Sequence, residues 1–321
     1  MNASDYIQTR WNTPFVPQRA DPFITQENGV YYMTASIPAY DRIVLRSASS
    51  LEELKTAEEI TVWTRHDSGE MSWHIWAPEL HFLRGRWYIY FAAGERDDVW
   101  KIRPWVLRCE GQNPLSDPWA EMGHVSSPDE FSFTDFSLDM TVFEHGKNLY
   151  CVWAEKVSVG RKISNLYIAR MSDPLTMETP QMLLSSPSFD WERHGFWVNE
   201  GPAFLKGEDK VFLTYSASDT GPAYCMGMLW ADANADLMDI SAWHRLNHPV
   251  LTTDAEKGLF GPGHNSFFRT PEGKTLMAYH ARPYDEIIGD PLYDPNRHCY
   301  LMEIQWKNGF PVFDYQNQVI F

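Results

Sequence analysis

The sequence has little with which to hold a polyanion. Its 321 residues carry 27 Lys and Arg against 43 Asp and Glu, a formal net charge of −16, with no basic run. A surface that tracks phosphates needs clustered cations, which argues against nucleic acid and against anionic membranes as partners. No apolar run is long enough to span a bilayer. The first ten residues, Met1 to Arg10, hold no apolar core of signal-peptide length, so a cytoplasmic location is expected, with secretion after loss of a leader as the alternative. There are four cysteines, Cys109, Cys151, Cys225 and Cys299, widely spaced and without a CxxC motif. Buried free thiols are expected, not a disulfide framework. Signatures of other chemistries are missing as well: there is no GxSxG, HExxH, P-loop or GxGxxG. Helical periodicity is nearly absent. Only residues 51–57 and 236–243 could form a turn or two of helix.

What is present is a repeat. Its clearest copy runs from Asp139 through Met140-Thr141-Val142-Phe143, reverses at Gly146, and continues as Leu149-Tyr150-Cys151-Val152-Trp153. An apolar run, a turn and a run rich in aromatic and β-branched residues read as two paired strands. Similar segments begin at Asp21, Pro78, Gly201 and Gly263, about every 60 residues. Each is followed by a third strand-like run, at residues 42–47, 102–109, 165–171, 224–231 and 298–304. Short fourth strands follow at places such as residues 59–63, 182–184 and 311–313. The expected fold is therefore all-β, a five-bladed β-propeller with about four antiparallel strands per blade. It is expected to occupy residues 1–321 as one domain with an irregular lead-in over 1–20. Aromatic residues make up 15%, including 14 Trp. Most of that Trp is expected to pack between sheets. Stretches 60–77, 121–137, 185–199 and 284–297 are expected as loops on one face, where binding usually resides.

In a propeller the first strand of each blade runs beside the central axis, so residues at its start can meet although distant in sequence. The polar residues near the five starts are Asp21, Glu79, Asp139, Glu200 and His264. Buried acids are costly unless paired or used, and neighbouring like charges push some pKa values up. Such a group can make one carboxyl an acid and another a base at one pH.

The chain resembles the five-bladed propeller glycoside hydrolases of family 43 over nearly its whole length. The resemblance rests on Ala20-Asp21-Pro22-Phe23, Trp76-Ala77-Pro78-Glu79, Ser137-Leu138-Asp139-Met140, Val198-Asn199-Glu200-Gly201-Pro202, Gly263-His264-Asn265-Ser266 and Tyr279-His280-Ala281-Arg282. Ser68-Gly69-Glu70-Met71, His74-Ile75-Trp76 and Asp290 to Arg297 look most like the branch of exo-acting α-L-arabinofuranosidases. The resemblance implies Asp21 as general base, Glu200 as general acid, and Asp139 as the group that raises the pKa of Glu200 and orients the sugar. It implies inversion, with base and acid about 6.5–9.5 Å apart. His74, Trp76, Asn199 and Arg282 are implied substrate contacts. His264 would bind a metal ion, commonly a structural calcium, near the axis and largely through waters, and no cofactor would be needed for the chemistry. The implied partner is an oligosaccharide or polysaccharide containing arabinofuranose. Met140 departs from the Gly or Ala common in relatives and would narrow the pocket floor. Glu79 is expected to be structural, and Asp285, Asp290 and Asp294 to order their loop. A β-D-xylosidase, alone or mixed, and a non-catalytic carbohydrate-binding propeller are the alternative readings.

Overall fold

The computed structural model describes residues 6, 8–159 and 161–321. The first sheet contains β1 (Ala20–Glu27), β2 (Val30–Ser36), β3 (Arg42–Ala48) and β4 (Ile60–Thr64), with the short helix α1 (Leu51–Thr56) between the last two. The second contains β5 (Trp73–Leu83), β6 (Arg86–Gly94), β7 (Arg103–Cys109) and β8 (Trp119–Gly123). The third has β9 (Ser137–His145), β10 (Asn148–Val159) and β11 (Arg161–Asp173), edged by β12 (Thr176–Met177) and β13 (Met182–Ser185). The fourth has β14 (Trp197–Lys206), β15 (Lys210–Ala217), β16 (Cys225–Asp232) and β17 (His244–Arg245). Two parallel pairs, Ile163 with Trp197 and Ser164 with Val198, join the third sheet to the fourth.

The fifth sheet is β18 (Phe260–Arg269), β19 (Thr275–Arg282) and β20 (His298–Glu303). Its fourth strand corrects the expectation of 311–313. The segments β21 (Gln305–Lys307) and β22 (Phe310–Val312) form a separate ribbon, and β23 (Gln318–Val319) pairs with β20 instead. The reason is local. Asn308 and Gly309 have φ of 53° and 77°, the tight reversal that joins adjacent strands, so Pro311 pairs with Trp306. Of the lead-in, residues 1–5 and 7 lie outside those described. Val16 is not irregular: it bridges Cys299 of β20, antiparallel. Residues 240–242 form a single 3-10 turn, as the sequence suggested.

The core is a ring of interfaces, not one ball. Side chains alternate along a strand, so each sheet sends odd residues to one neighbour and even residues to the other. On β10, Cys151 and Trp153 pack towards the second sheet, whereas Tyr150, Val152 and Ala154 pack towards the fourth. On β19, Met277 and Tyr279 meet the fourth sheet and Leu276 and Ala278 meet the first. Both faces of the central strands are buried, which explains why their sequences are continuously apolar. Trp153 is fully buried, and all four cysteines are buried and free, as expected. Among the described residues no helix is long and apolar enough to cross a membrane.

Candidate active site

The strands nearest the axis, β1, β5, β9, β14 and β18, share one irregularity. Pairing registers jump between Ala20 and Phe23, Trp76 and Glu79, Glu200 and Ala203, Gly263 and Ser266, and, opposite β9, between Val152 and Ala154. Each jump is a bulge containing one residue with left-handed backbone: Asp21 (φ 51°), Ala77 (44°), Asp139 (55°), Gly201 (53°) and His264 (43°). A bulge inserts an extra residue and re-aims its side chain. For a residue with a Cβ the left-handed conformation costs about 1–2 kcal/mol, so four such residues here mark a strained, specified location. At Gly201 an added Cβ would lie 3.1 Å from His264 Cγ, so the imidazole would have to shift by a few tenths of an ångström.

The five polar residues near the blade starts do not all occupy that bulge position. Asp21, Asp139 and His264 share it. Glu200 stands one residue before its bulge residue, and Glu79 stands two after. Glu79 pairs with His81 Nε2 at 2.8 Å, the structural part expected of it.

Asp21, Asp139, Glu200 and His264 meet in a pocket of about 560 Å³. Trp76, Phe136 and Trp197 wall it, Trp100 and Phe196 stand exposed at its rim, and Arg297 and Tyr224 reach into it. His264 Nδ1 lies 3.3 Å from Asp21 Oδ1 and 3.9 Å from Asp139 Oδ2, so the imidazole sits between the two carboxyls. Asp21 Oδ1 also faces Arg297 Nη1 at 3.4 Å. Arg297 in turn donates to Tyr40 Oη at 2.7 Å, and Tyr40 donates to the Leu292 carbonyl at 2.6 Å. The Asp21 amide donates to His280 Nδ1 at 3.1 Å. Glu200 Oε1 accepts from the Tyr224 hydroxyl at 2.8 Å, and Asp139 Oδ2 accepts from the Gly201 amide at 3.0 Å.

These neighbours drive the carboxyls apart. Burial works to raise the pKa of Asp21, but the charges of His264 and Arg297 outweigh it and hold Asp21 well below the usual carboxylate range. Asp139 is pushed up to about 8, first by burial and then by the charges of Glu200 and Asp21, with His264 opposing. Glu200 is raised too, by burial, against the hydrogen bond from Tyr224. Burial lowers His264, but the charges of Asp21, Asp139, Glu200 and Glu79 outweigh it and raise its pKa. His280 is buried and pulled down to about 3, hence neutral, which suits a ring whose Nδ1 accepts an amide proton. The pocket therefore offers one carboxylate held ionised beside two whose pKa values are raised.

Three implied substrate contacts lie elsewhere. His74 stacks behind Trp76, ring centroids 4.3 Å apart, and its nitrogens are engaged by the Val99 carbonyl and Tyr293 Oη. Asn199 is fully buried and bonds Ser185, the Val198 carbonyl and Glu192. Alternation on β14 explains it: Glu200 faces the pocket, so Asn199 faces the sheet interface. Arg282 donates to the carbonyls of Thr220 and Pro291 and to Asp294, not into the pocket. Of the four, Trp76 alone lines it. Sequence reasoning assigned no role to Arg297, Tyr40 or Tyr224. Arg297 closes the quoted Asp290–Arg297 stretch, a signal that was present. Tyr224 carried none, being one aromatic among many. Asp290 and Asp294 order their loop as expected, accepting from the amides of Leu292 and Asn296.

Among the described residues no group of three or more His, Cys, Asp or Glu side chains is placed to hold a metal ion. His264 would be the lone protein ligand, and its Nδ1 faces Asp21. A hard cation prefers several oxygens, so these donors do not fit a calcium site built from protein groups.

The model of glycosyl hydrolases family 43 matches residues 11–311. An extracellular exo-α-(1→5)-L-arabinofuranosidase of Streptomyces chartreusis is 45% identical over 283 residues, covering 88% of this chain and 85% of that protein. One of Streptomyces avermitilis is 45% identical over 306 residues, 94% of this chain, which spans only 63% of that relative's length. The crystal structure of an α-L-arabinofuranosidase from Lactobacillus brevis superposes with a TM-score of 0.88 at 43% identity, covering 98% of both chains. With a propeller of five sheets and carboxyls of opposed acidity at its axis, the chain belongs to glycosyl hydrolases family 43.

Proposed function

We propose that the protein is an inverting, exo-acting α-L-arabinofuranosidase. The observation that carries this reading is the opposed displacement of Asp21 and Glu200 within one pocket. Relatives at 45% identity bearing that activity in their names support the substrate class. Glu200, its pKa raised by burial, donates its proton to the glycosidic oxygen as the bond from C1 to that oxygen breaks. Asp21, kept ionised by His264 and Arg297, takes a proton from a water that forms the new bond to C1 from the opposite side. Asp139 competes with Glu200 for a proton and holds the Gly201 amide, which sets the position of the acid. The cycle closes when the proton on Asp21 returns through solvent to Glu200. No step calls on a metal ion. Trp76, Phe136 and Trp197 offer apolar faces to the sugar. The substrate is an arabinan or arabino-oligosaccharide, whose neutrality suits an acidic protein. The Streptomyces relatives are named extracellular, which favours secretion over the cytoplasmic expectation.

The test is product analysis by NMR on linear arabino-oligosaccharides, beside 4-nitrophenyl α-L-arabinofuranoside and β-D-xylopyranoside. The expected result is release of single arabinose units, appearing first as the β anomer. Glu200→Gln and Asp21→Asn should each lower kcat on the oligosaccharides by about 10³ or more while the protein stays folded. Near-normal turnover by either folded variant defeats the role assignment, and faster xyloside cleavage defeats the substrate class.

A further inference from the structure

Arg282 is a buried cation that the proposed chemistry does not use. It ends β19 at 1% exposure, beneath two loops that both reach the pocket. Its Nη1 donates to the carbonyl of Thr220, in the loop joining β15 to β16. Its Nη2 donates to the carbonyl of Pro291, in the loop joining β19 to β20, at 2.6 Å. Its Nε faces Asp294 Oδ1 at 3.4 Å. Asp219 and Thr220 on the first loop and Asp290 and Leu292 on the second line the pocket, whereas Arg282 does not. A guanidinium out of water is costly unless its donors are met, and a planar fork can meet acceptors in several directions at once.

We propose that Arg282 is a positioning residue that ties the blade-four loop to the blade-five loop and so sets the width of the pocket mouth for the sugar chain beyond the cleaved unit. The tie extends inward on one side only. The Leu292 carbonyl accepts from Tyr40, which accepts from Arg297, which reaches Asp21. Asp21 is also held by His264 and His280, neither of which depends on Arg282. Loosening the mouth therefore weakens capture of a long substrate more than it slows bond cleavage.

The inference rests on the proposed function for its kinetic readout, so the test carries a second readout that needs no turnover. Wild type, Arg282→Lys and Arg282→Gln are compared on arabinotriose and on 4-nitrophenyl α-L-arabinofuranoside, with hydrogen–deuterium exchange followed over residues 218–222 and 290–294. A lysine ammonium cannot span both carbonyls, so both variants should behave alike. KM for arabinotriose is expected to rise about tenfold with kcat within about twofold, and less for the aryl substrate, while both segments exchange faster together. A change in only one segment, or in neither, overturns the tie. So does a fall in kcat of about 10³ at unchanged KM, which would mean contact with the reacting sugar. If both variants fail to fold, Asp294→Ala removes the longest of the three contacts, and faster exchange in both segments is still required. A wild-type protein that turns over neither substrate defeats the functional reading, and the exchange experiment alone then decides on Arg282.

Discussion

The amide of Gly201 donates to Asp139 Oδ2 at 3.0 Å, and Gly201 is the residue that follows Glu200. Two carboxyls from different blades are thus linked through one peptide unit.

Replacing Asp139 by Asn should keep that hydrogen bond, since the amide oxygen can accept it, and remove the charge. The folded-state pKa of about 8 lies above the ordinary value near 3.9. Between those two values the folded protein holds a proton that the unfolded chain has lost. The stability tied to that proton is complete below about pH 4 and disappears as pH rises through 8. Asp139→Asn is therefore expected to melt several degrees higher than wild type at pH 7.5, with the gap closing at pH 4, while kcat falls by about 10²-fold or more. Thermal melts at the two pH values check it.

The hydroxyl of Tyr224 stabilises the ionised form of Glu200, opposing burial. In Tyr224→Phe the acid should hold its proton to higher pH. The basic limb of the kcat/KM profile is expected to move up by about 0.5–1 pH unit, with the acidic limb unmoved. A downward shift would contradict the assignment of Glu200 as the acid.

Gly201→Ala places a methyl group 3.1 Å from His264 Cγ at a φ of +53°. The backbone penalty alone is about 1–2 kcal/mol, and any relief moves Glu200 or His264. Loss of at least about tenfold in kcat is expected at temperatures where the variant is fully folded by circular dichroism.

His298 and His280 are neutral because burial disfavours the charged ring, and each accepts a backbone amide at Nδ1, from Gln18 and Asp21 respectively. Their pKa values, about 4 and about 3, lie below the ordinary 6.5. Below pH 6.5 the unfolded chain binds protons that the folded protein does not, so this stability is full above 6.5 and is lost as pH falls towards 4 and 3. For His298 the window amounts to about 3 kcal/mol at most. The melting temperature should fall between pH 6.5 and 4, and His298→Asn should flatten that fall.

The repeat was readable because both faces of each central strand are buried, and that leaves long runs such as Leu149 to Ala154 in the sequence. The bulges were not, because Ala77 and Gly201 occupy the same backbone state as Asp21 without any shared side chain. Hence Glu200 was placed one residue off its true equivalence, and Glu79 two. Strand alternation around that bulge decides that Glu200 looks into the pocket and Asn199 into the sheet interface. The two arginines show the other limit. Arg282 and Arg297 lie fifteen positions apart in one motif-rich stretch, and only the packing shows that Arg282 donates to carbonyls while Arg297 faces Asp21. Loop anchoring by buried acids was equally silent: Glu155 holds the amides of Phe133 and Asp135, and Glu192 those of Ser188 and Phe189.

The five left-handed bulge residues form a rosette of equivalent seats around one mouth, and this protein fills them unevenly. Carboxylates take two, an imidazole takes one, and Ala77 and Gly201 leave theirs without a functional group. A Cβ at Gly201 would press on His264. Ala77 borders the pocket with a backbone that already tolerates a Cβ, so a different chemistry could be installed there by side-chain exchange on an unaltered frame.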